Sequence, residues 1–133
     1  MIPAMTERLL KLVGPIHVIG GLLLALTGFL PAASAFLESV FPAAEHIPWS
    51  PYFVAVLGPT IASWGLLFSV LAEQFFVTPN HRIWRGMLLS LLLWAPLDTA
   101  LCIAYQFYSG ALINMIVLAF IVSLLIAVRD RIK

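Results

Sequence analysis

Asp98 is the residue whose chemistry sits least easily with its surroundings. It stands in Trp94-Ala95-Pro96-Leu97-Asp98-Thr99, inside an apolar run from about Ile83 to Tyr105. A charged Asp near the middle of a membrane span costs about 2.5 to 3.5 kcal/mol on insertion scales, and such a group faces protein or a cavity. It needs a partner. Pro96 lacks the N–H that would reach the Leu92 carbonyl, and Pro59 frees the Ala55 carbonyl at a comparable depth in another run, so a kink is expected at each. Kinks at matching depth can open a cleft, with Thr60, Thr99 and Asn114 near the same level. The sharper expectation is an outer-half pocket for a small or lipophilic ligand, lined by Asp98, Asn114, Thr60, Thr99, Trp64 and Trp94. The competing expectation is an internal clasp, with Asp98 protonated or capped by Asn114, that holds the third and fourth helices in register.

A second polar combination is His17 with Glu73. At 1.5 Å per residue His17 falls roughly 8 to 10 Å inside its end of the first helix, and Glu73 reaches a similar depth on the second. A hydrogen bond between them is geometrically open. The alternative for Glu73 is to snorkel toward the headgroups or to pair with Arg82 or Arg85. One intramembrane His without a second at matching depth is a weak haem or metal signal, so no metal site is expected and no cofactor is named. The single cysteine, Cys102, allows neither an internal disulfide nor a cysteine-based zinc site. There is no Gly-rich phosphate loop, no Ser or Cys nucleophile with a convincing base, and no two-carboxylate pair, so catalysis is the least supported class.

The elements that must position these groups follow from composition. Of 133 residues, 62% are hydrophobic and 10% charged, against roughly 45–50% apolar and about 25% charged in an ordinary soluble domain. A soluble fold of this size cannot bury that much apolar surface, so the solvent is lipid. Four spans of about 20 residues use roughly 80 positions and leave about 50 for ends and connections. A net charge of +1 with no clustered basic face excludes nucleic acid as a partner.

Spans are predicted at about 9–30, 52–77, 83–105 and 111–128. A segment at about 32–41, between Pro31 and Pro42, is expected to lie in the interface. A secretory signal cleaved near Ala32-Ala33-Ser34-Ala35 is the rival for the first run, which is longer than the usual signal core of about 7 to 15 residues. All seven basic residues fall at three places: Arg8 and Lys11, Arg82 and Arg85, then Arg129, Arg131 and Lys133. With four spans these share one side, which the positive-inside rule makes cytoplasmic. The far side holds Glu38, Glu45 and His46, with Trp49, Tyr52, Tyr105, Phe107 and Tyr108 as its aromatic rim. Phe75, Phe76 and Trp84 are expected at the inner interface. The fold class is therefore an all-α integral membrane protein, an up-and-down four-helix bundle in one domain with both termini cytoplasmic.

Small residues form a stripe on the second helix that includes Gly58, Ala62 and Gly65, with a matching series on the first at Gly14, His17, Gly21 and Gly28. In lipid, such stripes let helix backbones approach closely. Tight packing of the two helices is the plainer expectation, and a homo-oligomer contact would use the same stripe. Two function classes follow: a binding or transport module centred on Asp98, or a non-catalytic accessory subunit of a larger membrane complex or homo-oligomer. In size and topology the outline, with Leu57-Gly58-Pro59-Thr60, Ser63-Trp64-Gly65 and Trp94-Ala95-Pro96-Leu97-Asp98-Thr99, resembles the small bacterial four-helix membrane proteins, the DoxX-like group among them. The location this implies is a bacterial inner membrane, and no residue's role is carried across.

Overall fold

The computed structural model describes residues 4–27, 29, 30, 32, 35, 39 and 50–132. Four long α-helices account for most of them: α1 (Ala4–Leu26), α2 (Ser50–Val77), α3 (His81–Ala104) and α4 (Tyr108–Ala127), followed by a 3-10 turn at Arg129–Arg131. Among the described residues there is no strand. Each helix contains a stretch long and apolar enough to cross a membrane, which points to a multi-pass membrane protein of all-α class. Gly28, most of the segment at 32–41, Glu38, Glu45, His46, Trp49 and the Tyr52 side chain lie outside the described residues.

Local chemistry explains where the helices stop. α1 begins at Ala4 rather than Leu9 and ends at Leu26 rather than Leu30. The Thr27 hydroxyl donates to the Leu24 carbonyl at 2.6 Å, and its backbone N–H donates to the same oxygen at 3.1 Å. A Thr side chain competing for the carbonyl three residues back is a common way for a helix to end. α2 runs out at Val77 because Pro79 disfavours helical geometry at Thr78. Asn80 then caps α3 from an extended conformation, its side-chain oxygen accepting from the Arg82 N–H at 2.6 Å.

The α3–α4 turn is shorter than the predicted connection of Gln106 to Gly110. The Gln106 N–H donates to Ile103 O and the Phe107 N–H to Cys102 O, at 3.0 and 2.7 Å, the paired bonds of a Schellman motif. The motif requires a left-handed residue, and Gln106 supplies it with φ 59°. Because the turn closes so tightly, α4 starts at Tyr108 rather than Ala111. A left-handed non-glycine residue costs about 1 to 2 kcal/mol. Gln106→Gly is thus expected to stabilise the protein by about 0.5 to 1 kcal/mol, after the greater flexibility of the unfolded glycine is offset. A rise in the thermal midpoint of the detergent-solubilised protein would show it, and a fall would contradict it.

The chain forms two compact units, Met1–Val13 with Phe68–Lys133, and Gly14–Leu67. In the first, Leu10, Phe68, Ala72, Phe75, Met87, Leu91, Ile121, Leu125 and Val128 are buried. Phe75, expected at the inner interface, belongs to this core with 0% exposure, because it shares a face of α2 with Phe68 and Ala72. Phe76 is half-buried instead. Lys11 and Arg131 stand over its ring at 5.2 and 5.0 Å from the centroid, and both approach Glu7, at 2.8 and 3.4 Å.

In the second unit α1 and α2 meet backbone to backbone. A Cβ on Gly21 would strike the Gly58 carbonyl and the Ala62 N–H, and one on Gly58 would strike Gly21 O and Ala25 N. A Cβ on Gly65 would lie 2.7 Å from Gly14 O and 2.8 Å from the His17 Cβ.

Candidate functional site

Asp98 and Asn114 lie on opposite sides of the α3–α4 turn, equally far along the chain from Gln106. An antiparallel helix pair joined by a tight turn brings such positions to one level. The Asn114 Nδ2 donates to Asp98 Oδ2 at 2.6 Å, and also approaches Cys102 Sγ at 3.8 Å. Asn114 is 8% exposed, while Asp98 is half-buried. Asp98 Oδ1 has no hydrogen-bond partner among the described residues.

The surroundings of this pair are set by two further contacts. Gly110 lies beneath the Phe107 ring, and a Cβ there would also come within 3.1 Å of Cys102 Sγ. At the other end of the same helix pair, the Trp84 indole N–H donates to the Leu125 carbonyl at 2.8 Å. That carbonyl is in the last turn of α4, where helix oxygens lack intrahelical donors. Arg129 stands 5.8 Å from the Trp84 ring centroid. α3 and α4 are therefore tied at both ends, and the carboxylate projects from a held frame.

The other expected site residues fall as follows. Trp94 and Thr99 share α3 with Asp98 and are half-buried, and Thr99 Oγ1 is fully enclosed without a hydrogen-bond partner among the described residues. Thr60 and Trp64 belong to the second unit, Thr60 exposed and Trp64 half-buried. His17 is in that unit too and packs edge-on against Trp64, with ring centroids 4.8 Å apart. Glu73 lies in the first unit and is exposed on α2. Gly14, Gly21, Gly58 and Gly65 are buried and Ala62 is half-buried.

Among the described residues no three His, Cys, Asp or Glu side chains gather as a metal would require. Two roles were not expected: Cys102, which spacing places on one face of α3 with Ser90, Trp94 and Asp98, as a second acceptor for Asn114, and Gly110 as the gap that lets Phe107 fold over it. Their signal was present only as spacing, since Cys102 and Gly110 are again equidistant from Gln106.

Compared with protein-family models, curated proteins and solved structures, the chain finds no match.

Proposed function

We propose that the protein is a binding or transport module of the membrane, in which Asp98 contacts a small or lipophilic ligand. The observation that carries this is the carboxylate itself: half-buried on an apolar helix, held by Asn114 through Oδ2, with Oδ1 unpartnered among the described residues. A neutral amide at position 98 could tie α3 to α4 without the insertion cost of about 2.5 to 3.5 kcal/mol that a charged Asp carries. A clasp is equally served by an amide or by a protonated acid, so the Asn114 contact accounts for Oδ2 and leaves Oδ1 for a ligand. Trp94 and Thr99 would flank the ligand from α3, Thr99 without its hydroxyl, which is fully enclosed. The proposed setting is an up-and-down bundle with both termini in the cytoplasm, supported by the grouping of all seven basic residues at one set of helix ends. A bacterial inner membrane is proposed on the outline of the chain alone.

An accessory role through the small-residue stripe draws less support. Gly21 and Gly58 already fill one another's space inside the second unit, and the Gly14 carbonyl and His17 Cβ fill the space beside Gly65.

The test is chemical. Dicyclohexylcarbodiimide modifies protonated carboxyls that it reaches through an apolar medium. With the protein in lipid vesicles, peptide mass spectrometry is expected to find Asp98 modified. Asp98 left unmodified at a dose that labels the exposed Glu73 would overturn the proposal.

A further inference from the structure

We propose that the ligand met by Asp98 is an alkylammonium, a lipophilic cation bearing at least one N–H donor. This rests on Asp98 being a ligand-contacting group, as proposed above, and adds the chemical class. Asn114 has two amide hydrogens on Nδ2, which points to Asp98 Oδ2 at 2.6 Å and to Cys102 Sγ at 3.8 Å. Both are engaged by groups of this chain. Asp98 Oδ1 and Asn114 Oδ1 have no partner among the described residues, and the one spare hydroxyl donor nearby, Thr99 Oγ1, is fully enclosed and out of a ligand's reach. Spare acceptors without a spare amide donor complement a donor. A phosphate, a carboxylate or a ketone would set lone pair against lone pair there.

Charge narrows the class further. The ion pairs among the described residues join Glu7 to Lys11 and to Arg131, and every Lys or Arg of the chain lies near a helix end. Asp98 receives no cation from them. A carboxylate in apolar surroundings requires a proton or a counter-ion. A hard metal cation would want about six oxygen ligands, more than this pair offers. An ammonium is satisfied by fewer, and its N–H to a carboxylate makes a charge-assisted bond. Leu97 and Leu101, exposed on α3 next to Asp98, offer apolar surface to the alkyl part.

The test extends the carbodiimide experiment with three amphiphiles of equal chain length: dimethyldodecylammonium, dodecyltrimethylammonium and dodecanol. The first carries charge and an N–H, the second charge alone, the third a neutral donor. Dimethyldodecylammonium is expected to slow modification of Asp98 by about ten-fold or more, the factor a hydrogen bond to a charged group gives. Glu73 should be modified at an unchanged rate, and the other two amphiphiles should protect Asp98 much less. Equal protection by either comparator, or none by dimethyldodecylammonium, overturns the assignment of an ammonium while leaving Asp98 accessible to lipophilic molecules. Failure to label Asp98 in the absence of any amphiphile overturns both proposals.

Discussion

Gly58→Ala is expected to destabilise the protein by roughly 2 to 3 kcal/mol, the upper part of the range for overpacking. The added methyl would meet the Gly21 carbonyl oxygen and the Ala25 backbone nitrogen. Neither is a side chain that can rotate away, so relief requires α1 to move off α2 and give up the close backbone contacts along their seam. Gly21→Ala should behave alike, since its methyl meets Gly58 O and the Ala62 backbone. The control is built into the same chain. A methyl added at Gly20 or Gly86 would meet nothing within 4 Å, so Gly20→Ala and Gly86→Ala should be neutral or stabilising by about 0.5 to 1 kcal/mol, as alanine is a better helix former. Denaturant or thermal unfolding in detergent checks all four. If Gly58→Ala unfolds like the parent but loses self-association, the stripe serves a contact between copies instead.

Asn114→Leu is the second large effect, with an expected cost of about 2 to 3 kcal/mol. It removes a hydrogen bond to a carboxylate and leaves Asp98 without its partner, and bonds to charged groups contribute about 1.5 to 3 kcal/mol. The diagnostic is the double variant. Asp98→Leu combined with Asn114→Leu replaces both members by apolar groups, leaves no polar group unpaired and should cost less than Asn114→Leu alone. A double-mutant cycle in detergent reads the coupling directly. Strictly additive losses would mean that the 2.6 Å contact contributes little to stability.

Much of the architecture is legible without coordinates. Each apolar run is long enough to span, and the breaks between runs coincide with Pro79 and Asn80 or with the residues around Gln106. The errors lie at helix ends. The hydroxyl of Thr27 ends α1 before Pro31 is reached, and the Schellman turn at Gln106 starts α4 early; each depends on a pair of local hydrogen bonds that hydropathy does not register. Phe75 illustrates a different limit. It and Phe76 are neighbours of one residue type, and only the orientation of α2 makes one core and the other a platform for Lys11 and Arg131.

The candidate site divides in the same manner. Asp98 stands out from the residues alone, because a carboxylate in an apolar run is costly wherever its helix packs. Asn114 could be named as lying near its level. Which atoms meet was decided by the tight α3–α4 turn, which sets the register that brings Nδ2 to Oδ2 and places Cys102 beside both. The residues by themselves determined the number and apolarity of the helices and the one carboxylate that needs explaining, since burial cost and helix length are local properties of the chain. Tertiary structure alone decided which glycines are filled by a neighbouring backbone, and that the Asn114 N–H donors meet Asp98 and Cys102, since both are set by ångström-scale register between helices that no single segment encodes.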